Sequence, residues 1–323
     1  MVAPAAPLRA LAILGPTGAG KSAYAMRLAG DTPIEIVSVD SAQVYRGLDI
    51  GTAKPTPAER AAVPHHLIDI REPEQVYSAG EFRRDALALI GQIAARGRTA
   101  VLVGGTMLYY RALFNGIAEL PRADAALRLQ IDERAAREGW PALHAELALN
   151  DSAAAQRINP NDAQRIQRAL EVLAQGRGSL SQLWQLAASA GPPVAYRILV
   201  LEPGDRSALH ARLEARLDAM LAGGFVAEVR QLLARGTLEP ASPVLRLVGY
   251  RQLSAFCDGR ESLKEARDKA LFATRQLAKR QLTWLRSPGL YPPGNQPLRF
   301  DPFAPRSVEL FRVAALQTVA SAP

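Results

Sequence analysis

Short apolar runs alternate along this chain with longer segments in which apolar residues recur at helical spacing. Each run is bounded by turn-forming residues, and the runs lie at 11–14, 34–39, 67–70, 99–103 and 196–201. Buried strands of a parallel sheet read as near-continuous apolar runs, and the crossovers between them are usually helices. The pattern therefore predicts an α/β fold in which a parallel sheet is flanked by helices, with one strand in each run.

One long stretch interrupts this alternation. Residues 121–190 are rich in alanine, contain scattered arginines and keep helical periodicity without a candidate strand. Beyond the fifth run, apolar residues recur at helical spacing from Leu209 to Met220, and a second helical pattern covers about 261–286. We predict an all-helical insertion domain at 121–190 within a catalytic core formed by 1–120 and 191–323.

The first apolar run leads into a phosphate-binding motif. Residues 15–22 match the P-loop pattern G-x-x-x-x-G-K-[ST] between a predicted strand and a predicted helix, which predicts a P-loop NTPase-like core. The N–H groups of such a loop and the following helix N-terminus stabilise a bound phosphate. Lys21 would reach between phosphates, and Ser22 would bind Mg²⁺, the predicted cofactor. The predicted phosphate-binding residues are Gly15, Pro16, Thr17, Gly18, Ala19, Gly20, Lys21 and Ser22.

A carboxylate follows the second predicted strand, at the sheet edge where ligands of such folds bind. Asp40 lies in the segment Ser38–Arg46, directly after the run 34–39. Negative charge that faces a bound polyphosphate is unfavourable unless it accepts a proton or holds a metal, so we interpret Asp40 as a general base. An aspartate at this place would equally cap the next turn, and the two roles are compatible.

The fourth predicted strand ends in Gly104-Gly105-Thr106, where many P-loop NTPases carry an acidic residue of the Mg²⁺ shell. The glycines permit close approach to a ligand, and Thr106 could either donate a hydrogen bond to a phosphate or cap the following helix. The missing acidic residue disfavours an ATPase or GTPase, although Asp69 could supply a carboxylate from another strand. The motifs leave open whether the phosphate is a donor, a leaving group or a switch.

Composition and charge narrow the class of protein. The 323 residues are 48% hydrophobic and 22% charged, as in globular proteins. The net charge is +8, and only five of the 39 basic residues are lysine, so an arginine-rich surface favours an acidic partner. The single cysteine, Cys257, excludes internal disulfides, and the four histidines form no zinc motif. No apolar stretch approaches the ~20 residues needed to span a bilayer, so we expect a cytoplasmic protein without membrane contact.

Eight motifs follow one another over about residues 10–286. They are GPTGAGKS at 15–22, DSAQVYR at 40–46, DIGTAKP at 49–55, HHLIDI at 65–70, GGTMLYY at 104–110, RINPNDAQRIQRALEV at 157–172, VGYRQ at 248–252 and TRQLAKRQLTWLR at 274–286. In this order they resemble the motifs of bacterial tRNA dimethylallyltransferases, also known as tRNA isopentenyltransferases. Some members carry a C-terminal zinc finger, which a chain with one cysteine cannot form. The resemblance therefore implies the compact bacterial form, without zinc.

The resemblance implies transfer of a dimethylallyl group from dimethylallyl diphosphate to an exocyclic amine of tRNA. The acceptor would be the adenosine immediately 3′ of the anticodon, in tRNAs that read codons beginning with U. The P-loop would then bind a diphosphate that leaves. The catalytic residues would be Asp40, Thr106 and Lys21, and the partners would be dimethylallyl diphosphate and the anticodon stem-loop of tRNA. We expect the protein to be a monomer.

The resemblance also implies a set of tRNA contacts, and we expect the insertion domain to clamp the anticodon stem-loop. The positions are Asp40, Ser41, Ala42, Gln43, Thr106, Arg128, Gln164, Arg165, Ile166, Gln167, Arg168, Arg246, Gly249, Tyr250, Arg251, Lys279, Arg280, Gln281, Leu282, Thr283, Trp284, Leu285 and Arg286. Arg165 and Arg168 share one face of a predicted helix, which suits phosphate contacts but is equally typical of a solvated face. Trp284 could stack on a base or fill the core, and the core is favoured.

Two other classes stay open from the residues alone. A small-molecule or nucleotide kinase would share the P-loop, the sheet and a helical lid, but a basic net charge would be unusual for it. A non-catalytic RNA-binding nucleotide switch would explain the charge, but it gives Asp40 and Thr106 no joint role. Binding of ATP or GTP, measured beside binding of dimethylallyl diphosphate, separates both classes from the transferase.

Overall fold

The computed structural model describes residues 8–118, 120–121, 124–176, 178–189, 194–239 and 242–320. The chain forms two compact units, of which the first combines Met1–Asn115 with Pro192–Pro323 and the second covers Gly116–Gly191. The insertion predicted at 121–190 lies within the second unit. Among the described residues, no helix is both long enough and apolar enough to cross a membrane.

A single sheet of six strands organises the first unit. The strands are β1 (Leu8–Leu14), β2 (Ile34–Val39), β3 (His65–His66), β4 (Thr99–Gly104), β5 (Val194–Leu201) and β6 (Leu298–Phe300). All neighbours pair in parallel, in the order β3-β2-β4-β1-β5-β6. Gly104 pairs with both Leu14 and Val39. The carboxyl ends of β1, β2 and β4 therefore meet at one edge, which brings together the loops that follow them.

The strand predicted at 67–70 is wrong. The structure has the two-residue β3 before it, and then an irregular segment in which Leu67 and Asp69 adopt φ angles of 61° and 56°. A residue in the left-handed region cannot continue a strand. The Asp69 carboxylate forms ion pairs with Lys54 at 2.6 Å and with Arg60 at 2.7 Å, so contacts outside the segment favour this backbone path. The other four predicted strands are confirmed, and β6 was not predicted.

Each of the first four strands is followed in the chain by one helix. These helices are α1 (Lys21–Ala29), α2 (Pro57–Ala62), α3 (Ala79–Ala95) and α4 (Met107–Asn115). Two of them begin with a capping box, in which Thr56 caps α2 and Ser78 caps α3. α1 and α3 pack on the sheet, where Leu11 and Ile13 of β1 are fully buried.

The described part of the second unit contains helices as its only regular elements. They are α5 (Ala125–Glu138), α6 (Trp140–Asn150), α7 (Ser152–Ala155), α8 (Ala163–Ala174) and α9 (Leu180–Ser189). Leu143, Leu147 and Ile166 form the centre of a separate apolar core. The helical periodicity of the sequence therefore corresponds to a small bundle with its own interior.

The remaining helices belong to the first unit. They are α10 (Arg206–Ala222), α11 (Phe225–Leu233), α12 (Tyr250–Cys257), α13 (Leu263–Leu285) and α14 (Ser307–Ala320), with 3₁₀ turns at Pro243–Arg246 and Pro288–Leu290. α13 begins with a capping box at Ser262. α14 packs on α1, where the rings of Tyr24 and Phe311 meet edge to face with centroids 4.7 Å apart.

Candidate active site

The P-loop connects the end of β1 to the start of α1. Gly18 and Gly20 have φ angles of 82° and 87°, in the left-handed region that favours glycine. A Cβ at Gly15 would lie 2.8 Å from the carbonyl oxygen of Leu201 on β5, so a larger residue would clash there. Glycine is therefore favoured by the backbone conformation at positions 18 and 20, and by the lack of space for a side chain at position 15.

Lys21 folds over the loop that precedes it. Its Nζ donates hydrogen bonds to the carbonyl oxygens of Gly15 at 3.0 Å and Pro16 at 2.9 Å. Burial lowers the pKa of Lys21 to about 8, while the negative charge of Asp40 acts against this shift and Arg216 adds to it. The ammonium group thus lies at the phosphate-binding loop and close to both of these charges.

The pKa of Lys21 predicts a pH limit on anion binding. Because the ammonium group loses its charge as pH rises through about 8, affinity for inorganic diphosphate should fall above that pH, by up to about tenfold per pH unit. Below pH 8 the group is charged, and affinity should be constant as far as Lys21 is concerned. Titration calorimetry from pH 7 to pH 9.5 measures this. Lys21→Arg, whose guanidinium stays charged, should remove the decline; a wild-type affinity that does not change with pH would contradict it.

Asp40 follows β2 and faces the P-loop side of the sheet edge. Its Oδ1 accepts the N–H of Ala42 at 2.9 Å, so the predicted turn cap is present. The carboxylate acts electrostatically on Lys21 and on Arg216 of α10. Within the described part of the chain, its Oδ2 accepts no hydrogen bond, which leaves that oxygen available to a ligand.

Thr106 joins the end of β4 to the turn that contains Asp40. Its Oγ1 accepts the N–H of Ser41 at 3.0 Å and donates to the Ser41 hydroxyl at 3.3 Å. A Cβ at Gly104 would lie 2.0 Å from the carbonyl oxygen of Val39, so this glycine permits the close approach of β2 and β4. The Thr106 hydroxyl therefore positions the Asp40 turn, and its contact with a substrate stays a prediction.

Gln281 of α13 links the P-loop to the glycine turn after β4. Its Oε1 accepts the N–H of Thr17 at 2.8 Å, and its Nε2 donates to the carbonyl oxygen of Gly105 at 2.8 Å. The side chain is buried. We predicted a tRNA contact for this residue, but the structure places its amide inside the protein, where it holds two phosphate-site loops together.

Two arginines of α10 were missed by the sequence analysis. Arg216 is largely buried, which lowers its pKa, while the charge of Asp40 acts in the opposite direction. The guanidinium of Arg212 lies against the P-loop, since a Cβ at Gly20 would be 3.4 Å from its Nη2. The two arginines are one helical turn apart, beside the apolar positions Leu209 and Leu213, and this spacing is the signal that could have identified them.

The residues around the loop are compatible with Mg²⁺. Ser22 is exposed at the start of α1, beside the P-loop. Among the described residues, no cluster of three or more histidine, cysteine, aspartate or glutamate side chains could form a metal cage. Mg²⁺ usually takes only one or two protein ligands and completes its shell with water and substrate phosphates. A single hydroxyl next to a phosphate-binding loop fits that pattern.

In the second unit, the predicted tRNA-binding residues differ in how exposed their side chains are. Gln164 and Arg165 are exposed at the start of α8. Ile166 is fully buried in the core. The three others are half-buried and bonded within this unit: Arg128 and Arg168 form ion pairs with the buried carboxylate of Glu171, at 3.3 and 2.6 Å, and Gln167 donates to Asp132 at 2.7 Å.

In the first unit, the predicted tRNA-binding residues of the last two motifs divide in the same way. The exposed ones are Arg246, Arg251, Lys279, Arg280, Thr283 and Arg286. The buried ones are Gly249, Tyr250, Gln281, Leu282 and Leu285, and Trp284 is half-buried. Fully buried side chains cannot reach RNA without a rearrangement, so the exposed residues of this set, which are mostly cationic, are the main candidates for tRNA contacts.

Comparison with known proteins adds an independent observation. The family model described as IPP transferase matches residues 43–288. A protein from Bordetella petrii named tRNA dimethylallyltransferase is 60% identical over 286 residues, which cover 88% of this chain and 90% of that protein. A protein of the same name from Burkholderia ambifaria is 58% identical over 278 residues, covering 85% of this chain and 86% of the relative.

Solved structures are similar over nearly the whole chain. The full-length tRNA isopentenylpyrophosphate transferase from Bacillus halodurans has a TM-score of 0.68 and 34% identity, with 97% of each chain covered. A eukaryotic dimethylallyltransferase acting on tRNA has a TM-score of 0.79 and 25% identity, and the match covers 96% of this chain and 77% of that chain.

Proposed function

This chain belongs to the IPP transferase family, and we infer that it is an enzyme that transfers a dimethylallyl group to tRNA. The observation in the site that supports this most directly is the cluster of Lys21, Arg212 and Arg216 beside the P-loop, with the carboxylate of Asp40 in the same electrostatic environment. Cations beside a carboxylate suit a reaction in which an anion leaves while a proton is taken up.

We propose that the donor is dimethylallyl diphosphate and that the acceptor is the exocyclic amine of the adenosine immediately 3′ of the anticodon. The tRNAs would be those that read codons beginning with U. The P-loop supports a diphosphate donor, because its N–H groups and Lys21 can bind two adjacent phosphates. The relatives' names support tRNA as the acceptor.

In the proposed reaction, the bond between the allylic carbon and the diphosphate oxygen breaks as the amine nitrogen bonds to that carbon. The electron pair of the broken bond leaves with the diphosphate, so negative charge grows on its oxygens. Lys21, Arg212 and Arg216 would stabilise this charge, and the burial of Lys21 and Arg216 strengthens their part of the interaction. Asp40 would accept the proton that the amine loses.

We propose that Ser22 holds Mg²⁺ through its hydroxyl, together with the phosphates of the donor. When bound, the ion would neutralise part of the charge on the departing diphosphate. Thr106 would contribute by orientation, because its hydroxyl holds the backbone of Ser41 at 3.0 Å and so fixes the turn that presents Asp40.

The exposed cations are the proposed contacts to the tRNA backbone. In the second unit this is Arg165, and in the first unit they are Arg246, Arg251, Lys279, Arg280 and Arg286. The target base must leave the anticodon-loop stack to react, at a cost of a few kcal/mol that such contacts would offset. We propose that the protein is a monomer and that it acts in the cytoplasm, where its proposed acceptor, tRNA, would be found.

One assay tests the proposed function. Purified protein is incubated with Mg²⁺, unmodified tRNA and dimethylallyl diphosphate that carries a label on the allyl group. We expect label on tRNAs with adenosine 3′ of the anticodon, and none on a matched tRNA with guanosine at that position. Consumption of ATP without label on tRNA would instead support the kinase, and binding of GTP or ATP without any transfer would support the switch.

A further inference from the structure

One buried carboxylate takes no part in the proposed chemistry. Glu228 of α11 is 8% exposed, and its two oxygens accept four hydrogen bonds. The donors are the backbone N–H groups of Asp49 at 2.7 Å, Ile50 at 2.7 Å and Gly51 at 3.0 Å, and the hydroxyl of Tyr250 at 2.6 Å. Three consecutive N–H groups that converge on one anion form a nest, and here the anion is a side chain of the same protein.

The charge of Glu228 is compensated by hydrogen bonds. Among the described residues it forms no ion pair, so hydrogen bonds alone compensate the loss of hydration of its charge. Such charge-assisted bonds are roughly twice as strong as neutral ones, and leaving a buried charge without them is costly. The carboxylate therefore strongly favours one path for the backbone of residues 49–51.

The loop is also packed tightly against the same helices. A Cβ at Gly51 would lie 2.1 Å from the ring of Phe225 and 2.7 Å from the ring of Tyr250. These two rings meet edge to face with centroids 5.0 Å apart. Residues 49–51 thus have little room to shift while Glu228 holds them.

The residues that follow this loop hold the turn that contains Asp40. The carbonyl oxygens of Thr52 and Ala53 both accept from Nε2 of Gln43 at 3.3 Å. Oε1 of Gln43 accepts the hydroxyl of Ser38 at 2.9 Å. Gln43 and Ser38 lie on either side of Asp40, so the amide of Gln43 connects the loop that Glu228 holds to both sides of the proposed base.

We propose that Glu228 is a positioning residue for transfer: through residues 49–53 and the amide of Gln43, it sets the position of the turn that presents Asp40. The inference rests on the proposed function of this site. None of the contacts that lead from Glu228 through residues 49–53 to Gln43 involves the P-loop. The inference therefore separates the positioning of Asp40 from the binding of diphosphate. Loss of Glu228 should therefore slow transfer without weakening the binding of diphosphate.

Glu228→Gln tests this, because the amide keeps the size of the side chain but replaces one acceptor oxygen with a donor group that faces backbone N–H groups. With both substrates saturating, kcat should fall by about 10- to 100-fold, as expected when a catalytic group is misplaced by about 1 Å. The dissociation constant for inorganic diphosphate should stay within about twofold. An unchanged kcat, or a diphosphate affinity that falls in parallel with kcat, would overturn the proposal.

A double-mutant cycle with Gln43→Ala tests the route. If the effect of Glu228 passes through Gln43, the double variant should be no more than about threefold slower than the slower single variant. Effects that multiply would show that Glu228 acts by another path and would overturn the proposal. Glu35→Gln is the matched control. Glu35 is a comparably buried carboxylate near the start of β2, at the end of the strand that is far from Asp40, and it accepts a hydrogen bond from Arg96. Its substitution should leave kcat unchanged.

One further measurement and one further variant keep the result interpretable. Amide hydrogen exchange of residues 49–51 should be faster in Glu228→Gln than in the wild type, and this does not depend on activity. If Glu228→Gln does not fold, Glu228→Asp replaces it, because the shorter carboxylate keeps the charge but cannot reach all three N–H groups. A wild type without transfer would refute the proposed function, whereas an active wild type with an equally active Glu228 variant refutes only this inference.

Discussion

Replacing Asp40 with asparagine is expected to lower kcat for transfer by about 10²- to 10⁴-fold, the usual contribution of a general base. Asparagine keeps the size of the side chain and an oxygen that can still accept the N–H of Ala42, which Asp40 accepts at 2.9 Å. It cannot take up the proton of the amine. Single-turnover transfer of a labelled dimethylallyl group to tRNA, with both substrates saturating, measures the change. Because asparagine keeps the turn cap, the assay separates the role of Asp40 as a base from its role as a cap.

Asp205→Asn is the control for this change. Asp205 caps α10 by accepting the N–H of Ser207 at 2.7 Å, and asparagine is an equally good cap, so kcat should stay within about twofold. A second readout comes from Lys21, whose pKa the charge of Asp40 raises. In Asp40→Asn, the loss of diphosphate affinity should therefore begin at a lower pH than in the wild type. Transfer at the wild-type rate would mean that Asp40 only caps its turn.

Replacing Lys21 with methionine is expected to lower kcat/KM for dimethylallyl diphosphate by about 10²- to 10³-fold, the range found when one donor to a developing anion is removed. The Lys21 ammonium lies at the P-loop, where burial strengthens its interaction with the leaving group. Methionine fills similar space without charge. Initial rates over a range of donor concentrations, at saturating tRNA, measure the effect.

Arg27→Met controls for the loss of one positive charge. Arg27 lies in the last turn of the same helix, α1, and is exposed. Its substitution changes the net charge as Lys21→Met does but leaves the P-loop untouched, so kcat/KM should stay within about twofold. Similar losses in the two variants would show that overall charge, rather than the position of Lys21, determines the use of the donor.

The sequence predicted the sheet best where strands are buried on both faces. β1 is apolar without interruption from Ala10 to Leu14, and β2 is apolar except for Glu35 and Ser38, because both strands are buried within the sheet. The run 67–70 looks the same but is not a strand, since Leu67 and Asp69 take left-handed conformations. Local hydrophobicity could not reveal this, because the ion pairs of Asp69 with Lys54 and Arg60 come from residues outside the run.

The predicted tRNA contacts show a second limit of the sequence. A motif marks a segment but not which side of it faces solvent. Tyr250 and Gln281 both lie in such segments, yet the first donates to the buried carboxylate of Glu228 and the second joins two loops of the phosphate site. Side chains next to them, such as Arg251 and Arg280, are exposed, and their contact with tRNA stays a prediction.

Local sequence patterns were enough to predict the phosphate-binding loop, most strands of the sheet and the motifs of the family, because each pattern lies within a short stretch of the chain. Positive φ angles at Gly18 and Gly20 follow from the glycine spacing of one motif. Only the tertiary structure placed Arg212 and Arg216 at that loop and Glu228 beneath residues 49–51. These contacts join residues more than 150 positions apart, and folding rather than local spacing decides which helix face meets the sheet edge.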